Sequence, residues 1–202
     1  TLMQRSGFLE LVPYGAILLS IAVLMMLEPH MSGTILIMLG GAAVLFAAGI
    51  KLYWFVGGAA GLAGLLLLMM SGYQSTRIKI WQDPWNDGMN GRGDGFQIIQ
   101  SLLSIGSGGL LGVGLGKSRQ KFDFLPEPEN DFIFAVVCEE LGLVGACVIL
   151  FLFALLIVRG FWIAIHARDR FGALLVVGIM TLLAGQVFLN IAVVTNLIPT
   201  TG

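Results

Sequence analysis

Five apolar stretches divide the chain, at residues 11–27, 34–50, 53–71, 132–158 and 171–197. Each is close to the roughly 20 residues that an α-helix needs to cross the hydrocarbon core of a bilayer. The pattern therefore predicts an all-α, polytopic integral membrane protein with five transmembrane helices.

Composition agrees with a membrane location. Of the 202 residues, 57% are hydrophobic and 11% are charged, whereas soluble domains carry about 25% charged residues. The formal net charge of −1 leaves no basic face for nucleic acid, because binding to phosphates needs clustered Lys and Arg. We expect membrane lipids as partners and no nucleic acid. We also expect 1–202 to be a single membrane domain that is incomplete at both ends, because it lacks an initiator Met and stops abruptly at Gly202.

Charges in the short connections predict the orientation of the chain. If the helices alternate in direction, one side of the membrane carries all the basic residues of the short connections: Arg5, Lys51, Arg159, Arg168 and Arg170. The short connection on the other side, 28–33, has neither Lys nor Arg. Because short basic loops stay in the cytoplasm, the long segment 72–131 is predicted to be an extracytoplasmic loop.

This large loop contains one predicted helix. Residues 72–95 are polar and rich in turn-forming pairs such as Asp83-Pro84. Residues 96–105 have helical periodicity, with Ile and Leu on one face. The other face carries polar residues: Gln97, Gln100, Ser101 and Ser104. We expect an amphipathic helix that lies at the membrane interface or dips into it.

A glycine-rich run at 106–116 follows, and it leads into Lys117, Arg119 and Lys121. A nucleotide-binding P-loop is excluded, because no strand precedes the run and Leu111 stands where that motif requires glycine. Two interpretations stay open. Backbone amides and the three cations bind a pyrophosphate at the membrane surface, or the basic run contacts anionic lipid headgroups.

Asp131 lies where an acidic, proline-containing loop meets the fourth apolar stretch. An ionisable group at the edge of a bilayer is a candidate functional residue. Asp is also a preferred N-cap, whose carboxylate accepts hydrogen bonds from the first amides of a helix. The two roles are compatible, and position alone does not choose between them.

Further polar residues lie inside the apolar stretches. Glu139 and Glu140 are costly in a membrane unless they are paired or face water, so we expect one to line a polar cavity and the other to bond a neighbouring helix. Gln186 and Asn190 are one helical turn apart and either form interhelical hydrogen bonds or line a cavity. The second and third stretches carry small residues that favour close helix packing: Gly40, Gly41, Gly57, Gly58, Gly61 and Gly64. No metal-ligand spacing is present among the His and Cys residues.

Five short runs occur together between residues 95 and 142: GFQIIQS (95–101), IGSGG (105–109), GVGLG (112–116), LPE (125–127) and DFIFAVVCEELG (131–142). Joined in this order, they resemble the SEDS family of FtsW, RodA and SpoVE, and the details are most similar to its FtsW and SpoVE branch. The family often has Thr before the Asp of the last run, and this chain has Asn130. The resemblance covers essentially the whole chain.

The resemblance implies a function that the residues alone do not. It implies a peptidoglycan glycosyltransferase of the bacterial cytoplasmic (inner) membrane, which polymerises lipid II into undecaprenyl-linked glycan beside a class B penicillin-binding protein, a transpeptidase. The family's essential Asp maps onto Asp131, as catalytic base. Lys117, Arg119 and Lys121, or a divalent cation (Mg²⁺ or Mn²⁺), would stabilise the leaving pyrophosphate. Gln97, Gln100 and Glu127 lie in the matching segments and are expected to bind substrate.

Two other classes of function stay open. A flippase for lipid-linked precursors would use the intramembrane polar residues as its path and would tolerate loss of Asp131. A scaffold that only recruits the transpeptidase would tolerate the loss of Asp131 and also the loss of the intramembrane polar residues.

Overall fold

The computed structural model describes residues 8–27, 31–69, 78–87, 89, 93, 95–118 and 132–199. The regular elements in these ranges are helices, with a short one at 78–82. The longer helices are α1 (Phe8–Leu27), α2 (Met31–Ala47), α3 (Leu52–Met69), α4 (Phe96–Gly108), α5 (Ile133–Ile165) and α6 (Arg170–Val194). The all-α prediction is thus confirmed for the described ranges.

Two of these helices are long and apolar enough to cross a membrane: α5, with 33 residues, and α6, with 25 residues. Shorter apolar segments, Val12–Met25 and Ser32–Ala47, lie in α1 and α2. Five helices overlap the predicted stretches, because a long apolar run in a membrane must satisfy its own backbone groups. α5 continues beyond the predicted end at 158 to Ile165, so Arg159 lies within this helix and not in a short connection as predicted. That all five cross the bilayer stays a prediction.

Two helices end earlier than the apolar pattern predicts, each near a residue whose backbone is in the left-handed conformation. Gly49 has a φ of 97°, and the amide of Ile50 donates to the carbonyl of Leu45 at 3.2 Å. This geometry caps the C-terminus of α2. Asn196, with a φ of 58°, follows α6 in the same way. Hydrophobicity continues past both residues, so periodicity alone misplaces the helix ends.

The chain divides into two compact units. The first contains α1 to α3, the C-terminal part of α5 and the main part of α6; the second contains the loop segment with α4, the N-terminal part of α5 and the end of α6.

Glycines bring helices together in the first unit. A Cβ at Gly40 would lie 2.7 Å from the side chain of Leu182, and one at Gly41 would lie 2.6 Å from Leu18. The predicted close packing is confirmed at these two positions. In the part of the chain that the structure describes, no atom beyond the adjacent residues and the helix's own backbone lies within 4 Å of a Cβ built at the remaining predicted positions: Gly57, Gly58, Gly61 and Gly64.

The second unit holds the loop segment against the end of α6. Ser101 of α4 donates to the carbonyl of Val194 at 2.9 Å. The Nε1–H of Trp81 donates to the backbone carbonyl of Asn196 at 3.0 Å, and the side-chain Nδ2 of Asn196 donates to the backbone carbonyl of Trp81 at 3.3 Å. Phe132, which precedes α5, packs with Val194 in the buried core of this unit. These contacts position the candidate site.

Candidate functional site

The candidate site is built around a break in α5 at Gly142. This residue has φ 67° and ψ −172°, a conformation essentially restricted to glycine. α5 therefore consists of a short first segment, 133–141, and a longer second segment, 143–165. Such a break leaves carbonyls at the end of the first segment and amides at the start of the second segment without helical partners. In a membrane these groups must be satisfied within the protein.

Residues 109–118, called here the glycine strap, supply the missing partners. Four backbone hydrogen bonds join the strap to the break: Val113 N–H to Glu139 O (2.9 Å), Gly114 N–H to Glu140 O (3.0 Å), Leu143 N–H to Gly109 O (2.9 Å) and Val144 N–H to Leu110 O (3.1 Å). The strap thereby supplies two donors to carbonyls before the break and two acceptors to amides after it. The glycine-rich sequence of the strap is typical of a flexible loop, but its first part is hydrogen-bonded to α5 through the backbone.

Glycine is required where the end of α4 and the strap meet α5. A Cβ at Gly108 would overlap the carbonyl oxygen of Cys138, and a Cβ at Gly112 would overlap that of Glu140. A Cβ at Gly142 would overlap the amide nitrogen of Gly112. These three glycines therefore serve backbone contact, which is a different use from the anion binding that the glycine-rich pattern suggests.

Glu139 connects three segments of the second unit. Its Oε2 accepts a hydrogen bond from Ser104 Oγ of α4 at 3.1 Å and from Ser118 Oγ at the end of the strap at 2.5 Å. All three side chains are buried, with exposures of 3% for Glu139, 0% for Ser104 and 2% for Ser118. An acidic side chain on α5 thus binds both the loop helix and the strap.

Glu140 lies beside it in a different environment. The residue is half-buried, and its Oε1 is a buried atom without a hydrogen-bond partner among the described residues. Unpaired buried carboxylate oxygens are unusual in native proteins and call for an explanation such as a bound polar group. Glu140 therefore stays a candidate for lining a polar cavity.

α4 matches its predicted amphipathic arrangement only in part. The helix is present and buries the two isoleucines of its apolar face, whereas Leu102 and Leu103 of that face are exposed. It extends to Gly108 and also buries the hydroxyl residues Ser101 and Ser104 of its polar face. The hydroxyls are buried because α5 and α6 supply acceptors for them, and a sequence pattern does not reveal such acceptors.

The remaining predicted site residues are more accessible. Lys117 is exposed next to Ser118, and its amide donates to the carbonyl of Gly114 at 3.1 Å. Gln97 and Gln100 are half-buried on α4. On α6, Gln186 is exposed and Asn190 is half-buried. The structure thus brings Lys117 close to the buried Glu139 cluster through Ser118.

Four predicted site residues lie outside the described residues: Arg119, Lys121, Glu127 and Asp131. Their roles, including capping by Asp131, stay predictions. Within the described ranges, no group of three or more His, Cys, Asp and Glu side chains is arranged to hold a metal ion. A divalent cation therefore also stays a prediction.

Ser118 and the break at Gly142 are the features that sequence reasoning missed. Gly142 lies inside the fourth apolar stretch, 132–158, which the sequence predicts as one unbroken helix. The available signal was the pairing of a glycine-rich run with a glycine inside an apolar stretch, since both permit close backbone approach.

Comparisons with known proteins identify the family to which the chain belongs. Residues 2–202 match the profile of the FtsW, RodA and SpoVE family, described as "Cell cycle protein". Stage V sporulation protein E of Bacillus subtilis (strain 168) is 47% identical over 98% of this chain and 53% of that protein. The "Probable peptidoglycan glycosyltransferase FtsW" of Geobacter metallireducens is 45% identical over 94% of this chain and 50% of that protein.

A third relative and a solved structure agree. The "Peptidoglycan glycosyltransferase MrdB" of Escherichia coli (strain K12) is 42% identical over 87% of this chain and 48% of that protein. A solved chain from "Structural coordination of polymerization and crosslinking by a peptidoglycan synthase complex" is 28% identical, with a TM-score of 0.73, and the match covers 98% of this chain and 55% of that one. The chain spans about half the length of the curated relatives it matches. The predicted resemblance is confirmed, and the chain belongs to the FtsW, RodA and SpoVE family of cell cycle proteins.

Proposed function

We propose that the protein, in its full natural length, is a peptidoglycan glycosyltransferase that polymerises lipid II into glycan strands. The observation that carries this proposal is the 45% identity, over 94% of this chain, to a protein named probable peptidoglycan glycosyltransferase FtsW. The similarity to a chain of a peptidoglycan synthase complex supports the same function.

The reaction takes place at the outer face of the bacterial cytoplasmic membrane. α1, α2, α3, α5 and α6 cross the bilayer, and the short basic connections face the cytoplasm. The loop 72–131 is then extracytoplasmic, which is the side on which cell wall is built. The packing of α4 and the strap against α5 supports an ordered arrangement of residues 96–118 at that surface.

Asp131 acts as the general base. A sugar hydroxyl of one substrate attacks the anomeric carbon of another, and the bond from that carbon to the lipid pyrophosphate breaks. Asp131 takes the hydroxyl proton, a role that a carboxylate within hydrogen-bond reach performs. One displacement with the nucleophile and leaving group on opposite faces inverts the anomeric centre, so no second carboxylate is needed.

The leaving pyrophosphate needs positive charge. Lys117, Arg119 and Lys121 supply it from one short segment, because fixed cations stabilise charge that develops in the transition state. Mg²⁺ or Mn²⁺ is the alternative source. Gln97, Gln100 and Glu127 bind the sugar part of the substrate in this scheme, and a class B penicillin-binding protein crosslinks the product during division, growth or spore formation.

The test is polymerisation of lipid II by the purified full-length protein, with and without a class B penicillin-binding protein. Asp131→Asn is compared with wild type and with Asp83→Asn, an exposed residue of the same loop. We expect glycan ladders from wild type and Asp83→Asn, and a loss of about 10²–10⁴-fold in Asp131→Asn.

The other possible results of the polymerisation assay support different conclusions. Equal ladders in all three proteins would keep the enzyme and remove Asp131 as base. No ladder from wild type, even with the partner, would refute the polymerase. A lipid-flipping assay on Glu139 and Glu140 variants would then separate a flippase from a scaffold.

A further inference from the structure

Glu139 is an ionisable residue in an apolar helix, and neither base nor leaving-group chemistry requires it. A buried carboxylate in a membrane protein is destabilising unless its hydrogen bonds are satisfied. The buried hydroxyls of Ser104 and Ser118 provide such hydrogen bonds, and an apolar residue in place of Glu139 would remove this acceptor from both of them. The presence of Glu therefore indicates that its contacts matter.

Its contacts reach outward from α5 to the loop. Ser118 donates to Glu139 Oε2 at 2.5 Å, a length typical of strong hydrogen bonds between a hydroxyl and a carboxylate. Ser104 donates to the same oxygen from α4. Ser118 is 2% exposed although both Leu115 and Gly116, just before it, are exposed. The chain thus turns inward at Ser118, and the Ser118 side chain is hydrogen-bonded to Glu139.

The residue before Ser118 is Lys117, the described member of the proposed pyrophosphate-binding cations. Gly114 and Gly116 have positive φ values of 106° and 72°, so the strap between the backbone bonds to α5 and Ser118 follows a path that few sequences adopt. Without an anchor at its end, this segment would sample other conformations, because glycine has wide conformational freedom. The Ser118–Glu139 bond supplies that anchor.

We propose that Glu139 is a positioning residue, which fixes the end of the glycine strap through Ser118 and so holds Lys117 in place for the lipid pyrophosphate. Ser104 completes the arrangement by orienting the Glu139 carboxylate from α4. The inference rests on the proposed polymerase function. It assigns Glu139 no contact with substrate.

The test measures kcat and KM for lipid II in the full-length protein for wild type, Ser118→Ala, Ser118→Thr and Glu139→Ala. Ser118→Ala should lower kcat several-fold and by no more than about tenfold, the loss expected when the Lys117 charge is removed altogether, with little change in KM. Ser118→Thr keeps the hydroxyl and should restore kcat. Ser107→Ala is the matched control, because the Ser107 hydroxyl bonds only within its own helical turn to the Ser104 carbonyl in the described structure.

Hydrogen exchange supplies a readout that does not depend on activity. In Ser118→Ala and Glu139→Ala, amides at 115–118 should exchange faster, while those of Leu143 and Val144 should keep their protection. Unchanged exchange at 115–118, or a kcat equal to wild type in both variants, overturns the inference. So does a parallel fall in kcat and melting temperature that Ser118→Thr does not restore, because that pattern marks a purely structural role. Wild type without polymerase activity removes the proposed function itself, and the positioning role falls with it.

Discussion

Gly112 of the strap and Gly142 of α5 touch through their backbones. A Cβ on Gly112 would lie 2.7 Å from the amide nitrogen of Gly142, and a Cβ on Gly142 would overlap the amide nitrogen of Gly112. Both residues have positive φ values, 78° and 67°. The contact explains why a glycine-rich loop and a glycine in an apolar helix occur in the same chain: each removes a side chain from the same place.

Gly142→Ala should destabilise the protein strongly. The backbone conformation at this residue costs about 1–3 kcal/mol for a residue other than glycine, and the overlap with Gly112 adds to that. We expect a lower melting temperature in detergent and lost protection of the Leu143 and Val144 amides. Gly106→Ala is the control, since Gly106 is helical with no atom within 4 Å of its Cβ position, and should be neutral or slightly stabilising. Equal melting temperatures in the two variants would contradict the close contact.

Trp81→Phe should loosen the loop from the end of α6. The substitution removes the Nε1–H bond to the carbonyl of Asn196 and keeps an aromatic ring, so we expect a loss of about 1 kcal/mol in unfolding free energy. Trp85 in the same loop segment is 60% exposed. Trp85→Phe should therefore leave chemical denaturation unchanged. A smaller effect at Trp81 than at Trp85 would show that the bond to Asn196 does not hold the loop.

The helices could be predicted from the sequence because apolar runs determine them locally. Apolar runs of about 20 residues located the five long apolar helices, and period 3.6 located α4. The helix ends after Ala47 and Val194 were missed, because left-handed residues at Gly49 and Asn196 end helices within sequence that is still apolar.

The candidate site was predictable only in part. Glu139 and Ser104 stand out as polar residues in apolar surroundings, but their pairing joins residues 35 positions apart. Ser118 gave no signal, since a hydroxyl after a Gly-Lys pair reads as part of an exposed basic loop. Contacts between distant segments depend on how the strap crosses the break at Gly142, and that crossing has no local pattern.

Lys117→Ala should lower the rate of lipid II polymerisation if this side chain faces the leaving pyrophosphate. Loss of one group that stabilises transition-state charge lowers kcat by about 10²–10³-fold in enclosed sites, and we expect about tenfold here because Lys117 is exposed and solvent screens its charge. Lys117→Arg should retain part of the rate. Lys79→Ala removes an exposed charge of the same loop segment and should have no effect. Similar rates for the two alanine variants would exclude Lys117 from the site.

Single cysteines test the proposed topology. In a protein with Cys138 and Cys147 replaced by alanine, Met89→Cys places a thiol at an exposed position of the large loop, and Ala167→Cys places one between α5 and α6. Because short basic connections stay in the cytoplasm, a membrane-impermeant maleimide should label Met89→Cys in intact cells whose outer envelope is permeable, and Ala167→Cys only after lysis. Labelling of Ala167→Cys in intact cells would reverse the orientation. The glycine strap would then face the cytoplasm, and an extracytoplasmic polymerase built on this loop would be excluded.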